Sequence, residues 1–391
     1  MGEIKMNKPN KKENIILRLD ENEHEVIKAK ASFFGLSKSE LLRTSSLSFW
    51  DKNIDFKDIL KLYQNDEKLR PVIIDIIFEY YRKTGFPHTS LSDVGKDNRI
   101  ERLCKTKVVK DANNELSINY AAMDLANSFH PHMDDAKYGQ GKLMSPMEAY
   151  SDDVKFRDCI KRWLDLGKKP NPEGIRRILK TRNGVRGVSN FRPTIAKYMY
   201  ENYCPLNGKT LDFCSGFSGR LLGCIGASKG IHYYGIDPEP FVAQGNVSCA
   251  SYFKNKKSFG FSFAVGCAED VISDYKDEFF DLIFTSPPYF DTEVYSSNKN
   301  QSSVKYKTYK EWLDGFLFKI TLESKRILKK DGFFAINIKN GKYNIADDLK
   351  TYCLANGYIL KEELKIKMVN NEYNRSEKTF HTEPIMIFSK L

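Results

Sequence analysis

No stretch of this chain reaches the ~18 uninterrupted apolar residues of a membrane helix, and its lysine-rich beginning lacks the apolar core of a signal peptide. A soluble, cytoplasmic protein is expected. The eight cysteines stand singly with no Cys-x-x-Cys pair, so they read as reduced packing residues. Histidines number only six; His130-Pro131-His132 near Asp134-Asp135 suggests a metal site, but the intervening proline and the lack of a well-spaced third ligand argue against it, and no metal is expected. There is no internal repeat and no low-complexity tract. The 391 residues leave room for two or three globular domains of ~100–200 residues each.

Against that background, Thr285-Ser286-Pro287-Pro288-Tyr289 stands out, following the strand-like run Phe280-Asp281-Leu282-Ile283-Phe284. Consecutive prolines fix φ and carry no N–H, so their carbonyls are free to point into a site at a strand end. Ser286 Oγ and the Pro287 carbonyl are acceptors suited to the hydrogens of an exocyclic amine, and Tyr289 offers a face on which a flipped base can stack. Some seventy residues earlier, Thr210 to Arg220 reads as a strand turning through Cys214, Ser215, Gly216, Phe217 and Ser218 into a helix near Gly219. Small residues there let backbone N–H groups approach a ligand. One strand later, His232 to Ile236 ends in Asp237, where a doubly wound sheet places an acid for ribose hydroxyls.

In this order, glycine turn, acid and then TSPPY, the chain resembles the amino-group DNA methyltransferases, which use S-adenosyl-L-methionine. The resemblance covers roughly residues 186 to 390. It implies cofactor contacts at Asp212, Cys214, Gly216, Ser218, Asp237 and Ser286, with Cys214 and Ser218 replacing the Phe and the last Gly of the family's D-x-F-x-G-x-G. Glu269 and Asp270 match the acidic segment beside the cofactor adenine. Phe191 and Thr194, in Asn190-Phe191-Arg192-Pro193-Thr194, match the segment that closes over its methionine end. Ser286, Pro287, Pro288 and Tyr289 carry over as the catalytic turn, and SPPY leans toward cytosine-N4 over adenine-N6. No cysteine follows a proline, so the nucleophile of cytosine-C5 enzymes is missing. Double-stranded DNA is the implied partner, with a cognate restriction nuclease and a prokaryotic or mobile-element origin in keeping with such enzymes.

Charge is concentrated. Between Lys155 and Arg192 twelve Lys or Arg face only Asp158, Asp165 and Glu173, +9 of the chain's +11. Arg176, Arg177 and Lys180 within it suit contacts to DNA phosphates. At the start, residues 1–13 read as a basic tail and residues 14–19 as a short strand. A helix over 20–34, a turn at Gly35 and a capped helix from Ser37-Lys38-Ser39-Glu40 follow. Residues 14–48 resemble a ribbon-helix-helix segment, which implies a homodimer whose paired strands read DNA through Asn14 and Arg18.

The expected fold is a doubly wound α/β sheet of seven strands over 186–391. Strands fall near 209–214, 232–237, 261–266, 280–285, 332–338, 358–367 and 383–389, with helices near 219–228, 239–253, 309–328 and 344–356. Residues 49–185 form a mostly helical domain, the candidate for target recognition, and 298–307 a mobile loop. Two alternatives stay open: alkylation of RNA or a protein amide, and a DNA-binding regulator whose sheet domain is not catalytic.

Overall fold

The computed structural model describes residues 2–8, 11–19, 24, 25, 28, 31, 32, 37, 56–139, 142–369 and 380–391. The chain divides into two compact units, Met1–His88 with Met144–Gly187, and Thr89–Leu143 with Val188–Leu391. The helical domain expected over 49–185 is therefore split, and residues 89–143 fold with the sheet.

In the first unit β1 (Gly2–Lys8) and β2 (Lys11–Leu19) pair antiparallel, with Glu3 opposite Arg18 and Ile4 opposite Leu17. The strand expected over 14–19 lies within β2, and the segment read as a basic tail supplies its partner, β1. One edge of β2 is thus taken within the chain. His24, Glu25, Lys28, Ala31 and Ser32 are helical, inside the expected 20–34; the second leader helix lies outside the described residues. Helices Phe56–Asn65, Arg70–Thr84, Pro146–Ser151, Asp153–Asp165 and Pro172–Thr181 pack around Tyr81, Phe156, Trp163 and Ile175. Ser145, Asp152 and Asn171 each cap the helix that follows by accepting a backbone N–H.

The second unit is built on one sheet of eight strands. They are β3 (Glu115–Leu116), β5 (Lys209–Asp212), β6 (His232–Asp237), β7 (Gly260–Val265), β8 (Phe280–Thr285), β10 (Leu328–Asn337), β11 (Tyr358–Val369) and β12 (Phe380–Lys390), in spatial order β3-β11-β12-β10-β8-β5-β6-β7. A separate pair joins β4 (Lys137–Tyr138) to β9 (Glu293–Val294). All seven expected strands are present. The eighth, β3, comes from residues 89–143 and pairs parallel with β11. Only β12 runs against its neighbours.

Alternation along the strands makes both faces apolar. Phe284, Ala335 and Ile385 pack under helices Pro193–Tyr203, Gly219–Ala227 and Pro240–Phe253 on one face. Ile283, Ile336 and Met386 meet Trp312, Phe316 and Ile320 on the other. The helix expected over 309–328 contains a π-helical turn, Leu313–Phe318, between Tyr309–Trp312 and Lys319–Ile327. Six cysteines are buried and none of the eight is bonded to another. No helix among the described residues is long and apolar enough to cross a membrane.

Candidate active site

β5 and β8 are parallel neighbours in the middle of the sheet, so the turns after them emerge side by side at the strand C-termini. Asp212 closes β5 and is fully buried. Its Oδ2 accepts from Arg220 Nε at 2.7 Å and the Tyr233 hydroxyl at 2.6 Å, and its Oδ1 accepts from Thr285 Oγ1 at 2.8 Å. Both oxygens are engaged by the protein, and Asp212 holds the turn from behind. Arg220 also donates to the Cys214 carbonyl. Thr285 opens the TSPPY run and Arg220 and Tyr233 lie in the two earlier segments, but nothing in the sequence signals that they converge on Asp212.

Gly216 has φ +54°, and a Cβ built there meets nothing nearer than 3.7 Å, so this face of the turn is open to a ligand. Its N–H donates to Asp237 Oδ2 at 3.0 Å, and the Glu239 N–H donates to Oδ1 at 3.1 Å. Burial raises the Asp237 carboxyl to about 6 in spite of those two donors. Burial likewise pushes the half-exposed Cys214 thiol well above its ordinary range, so it stays protonated. Ser218, in the left-handed region at φ 61°, is buried and starts the helix Gly219–Ala227.

The segment 190–194 lies against this turn. Asn190 Nδ2 donates to the Phe217 carbonyl at 2.6 Å, and the Phe191 ring packs edge-on against Phe284 at 5.6 Å. Thr194 is buried and donates to the Asn119 carbonyl at 2.8 Å, so its hydroxyl serves the fold. Arg192 was not singled out by its motif. It is 6 % exposed, its Nη2 donates to the Lys367 carbonyl at 2.6 Å, and its Nη1 has no hydrogen-bond partner among the described residues. Burial lowers its pKa, while Tyr120 and Glu383 act to raise it.

Beyond β7, Glu269 is buried and accepts from Lys305 Nζ at 2.7 Å and the Tyr306 hydroxyl at 2.8 Å; exposed Asp270 takes Lys305 at 3.0 Å. Lys305 belongs to the segment expected as a mobile loop. That segment is instead anchored, with Asn298 Nδ2 donating to the Pro238 carbonyl at 3.2 Å, and Ser296 Oγ, just before it, donating to Glu239 at 2.6 Å. The π-helical turn accommodates the anchor: a Cβ at Gly315 would stand 2.4 Å from the Tyr306 ring, whose hydroxyl proton is shared between Glu269 and the Gly315 carbonyl.

In the turn after β8, Ser286 is half-buried and its Oγ donates to Asn337 Oδ1 at 3.2 Å. Asn337 ends β10 and is itself fixed by donating to the Pro384 carbonyl at 2.8 Å. The serine proton is thereby committed, and its lone pairs remain to accept. Pro287 is buried, Pro288 half-buried, and Phe290 has φ 52°, a strained value for a bulky residue, held by packing against Trp312, Tyr309 and Tyr343. Beside Tyr289 opens a cavity of about 260 Å³ that Tyr138, Lys339, Asn340 and Tyr343 also line. Burial, then the carboxylates of Glu383 and Glu293, keep the Tyr289 phenol protonated. A larger, polar cavity of about 500 Å³ lies past β10, between Lys339, Lys350, Glu363 and His381.

The expected DNA contacts fall in the first unit. Asn14 and Arg18 sit on β2 opposite Asn7 and Glu3. Arg176 donates to the Pro87 carbonyl at 2.8 Å, Arg182 grips Asp158 with two bonds of 2.7 Å, and Arg157 stacks on Phe78 at 3.6 Å. Part of the basic excess therefore holds this unit together. Arg177 is exposed and Lys180 half-buried on the same helix, Pro172–Thr181.

Residues 280–391, from β8 through the Ser286 turn to the end, match a family model for N6 and N4 methyltransferases described as DNA methylase. No curated protein matches the chain. Solved structures that resemble it include a TehB-like SAM-dependent methyltransferase from Corynebacterium glutamicum, 15% identical over 61% of this chain and 100% of the other, TM-score 0.32. Others are precorrin-6y C5,15-methyltransferase from Geobacter metallireducens, 14% identical over 50% and 86%, TM-score 0.35, and a SAM-dependent O-methyltransferase from Thermotoga maritima, 12% identical over 52% and 67%, TM-score 0.37.

Proposed function

We propose that this chain is an S-adenosyl-L-methionine-dependent DNA methyltransferase acting on the exocyclic amine of a flipped base, cytosine N4 in preference to adenine N6. The observation that carries this reading is the buried Asp212, which ties the open turn at Gly216 to the Ser286 turn through Arg220 and Thr285. A donor-bearing turn and an acceptor-bearing turn thus stand at adjacent strand ends in a fixed relation. The family match over 280–391 supports the same chemistry for the second turn.

The residues present fit the cofactor. Gly216 leaves room for close approach, and Asp237, when ionised, accepts from ribose hydroxyls. Glu269 and Asp270 line the adenine side. When bound, S-adenosyl-L-methionine supplies an electrophilic methyl group.

The chain's own contribution is at the amine. An exocyclic amine is a poor nucleophile while its lone pair is delocalised into the ring. Ser286 Oγ, its proton held by Asn337, and the Pro287 carbonyl accept the amine hydrogens and favour the pyramidal nitrogen whose lone pair can attack. These bonds strengthen toward the transition state, which is where they accelerate. Tyr289 stacks on the base beside the 260 Å³ cavity. Arg192, on the β11 side, supplies a buried positive donor.

Incubation with tritiated cofactor and unmethylated plasmid DNA, followed by nucleoside analysis, tests the reading. Label in N4-methylcytosine is expected; label in N6-methyladenine changes the base; label only in RNA or protein overturns the DNA substrate.

A further inference from the structure

His130 is a buried histidine that the proposed chemistry leaves unused, and it reaches the cofactor turn from the segment 89–143. Its ring is 4 % exposed, with Nε2 2.7 Å from Ser218 Oγ. The Ser218 hydroxyl donates to Asn246 Oδ1 at 2.6 Å, so its oxygen is left to accept from the ring, which places the imidazole proton on Nε2. Asn246, fully buried, passes the connection on through Nδ2 to the Gly216 carbonyl at 2.9 Å and to Ser215 Oγ at 3.2 Å. Four groups of the turn and its supporting helix are thus fixed by one imidazole.

The ring's seat is built for it. A Cβ on Gly245 would stand 2.3 Å from Cε1 and 2.4 Å from Nδ1 of His130, so only glycine at that point of the helix Pro240–Phe253 admits the ring. Burial pushes the His130 pKa down to about 3, with His132 acting the same way and Asn246 against it, so the ring is neutral at physiological pH and acts as a permanent donor. The position it holds needs holding. Ser218 adopts a left-handed backbone, φ 61°, that disfavours residues with a Cβ, and its hydroxyl makes the two hydrogen bonds that keep it there.

We propose that His130 is the positioning residue of the cofactor turn, acting through Ser218 and Asn246, so that residues 89–143 set the affinity for S-adenosyl-L-methionine. This rests on the reading that the Gly216 turn receives that cofactor.

Calorimetry on the full chain, with S-adenosyl-L-methionine and S-adenosylhomocysteine, tests it. His130→Leu should weaken binding by roughly tenfold, the effect of losing about one hydrogen bond's worth of order in the turn. His130→Gln, whose Nε2 can donate from a similar place, should recover most of the loss. Ser218→Ala should match His130→Leu, and the double variant should be no weaker than the worse single one, because both remove the same connection. A role confined to stability would lower the melting temperature yet leave the affinity of the folded fraction unchanged. Affinity within twofold of wild type for folded His130→Leu, or losses that multiply in the double variant, overturns the proposal. Should His130→Leu not fold, Ser218→Ala with wild-type affinity overturns it equally. Failure of the wild-type chain to bind either ligand removes the cofactor reading as well, and so is told apart from failure of His130 alone.

Discussion

Thr285 and Asp212 are joined across neighbouring strands by a hydrogen bond of 2.8 Å, one residue before Ser286. Asp212 also carries the buried Arg220. Asp212→Leu leaves that guanidinium without its counter-charge and should cost about 3–5 kcal/mol. Thr285→Val removes one donor only and should cost about 1 kcal/mol. Urea unfolding of the two variants checks both values.

Asp237 should connect cofactor affinity to pH. Its carboxyl is raised to about 6 in the folded chain, above the ordinary aspartate value, so the folded state favours the protonated form. That contribution to stability is fully present below about pH 4 and is lost as pH rises through about 6. In the proposed site the ionised carboxylate is the stronger acceptor for ribose hydroxyls. Cofactor affinity should therefore strengthen from pH 5 to pH 7, and Asp237→Asn should flatten the profile while leaving the unliganded chain at least as stable at pH 7. Calorimetry and thermal melts across that range test the two signs.

Ser286 and Tyr289 should separate chemistry from capture. Ser286→Ala should slow methyl transfer in single turnover with cofactor affinity nearly unchanged. Tyr289→Ala should weaken binding of the flipped base by ~1–3 kcal/mol, the scale of base–aromatic stacking. Normal rates and DNA affinity for both would remove this turn from the site.

Arg192 is costly where it stands, because Nη1 is buried with no hydrogen-bond partner among the described residues. Arg192→Met should melt at the same temperature as wild type or higher, and should transfer methyl groups more slowly. A variant that is both less stable and fully active would return Arg192 to a packing role.

Within the basic helix, neighbouring positions should separate a DNA contact from a structural one. Arg177→Ser and Lys180→Ser together should reduce the log–log salt slope of DNA binding by about 0.9 for each lost phosphate contact. Arg176→Ser should instead lower the melting temperature, because Arg176 donates to the Pro87 carbonyl. Filter binding at several salt concentrations and thermal melts separate the two effects.

Most of the sheet was legible because strand runs such as Phe280-Asp281-Leu282-Ile283-Phe284 end at turn residues with local chemistry. β3 was not: it is two residues long, and its pairing with Lys365 and Ile366 joins positions some 250 apart, which no local period encodes. The same limit governed the site. Gly216, Asp237 and Ser286 are readable as turn and strand-end residues. Asp212 looks in the sequence like another ligand contact, and only Thr285, Tyr233 and Arg220 converging on it show a brace. The pairing of β2 with β1 was hidden for a related reason, since alternation along 14–19 specifies a strand and says nothing of which strand completes it.

The π-helical turn at Leu313–Phe318 lets this stretch carry an extra residue without changing the phase of its flanks. A π turn holds one residue more than the α-helix would, and each residue of an α-helix advances about 100°. Were the same residues wound as regular α-helix, everything before the turn would rotate by about that angle. Trp312 would swing out of the core, and the segment carrying Lys305 and Tyr306 would no longer meet Glu269. Loss of the single codon for Gly315, with the turn closing into α form, would instead keep both flanks in phase, so a one-codon deletion here should leave Trp312 in the core.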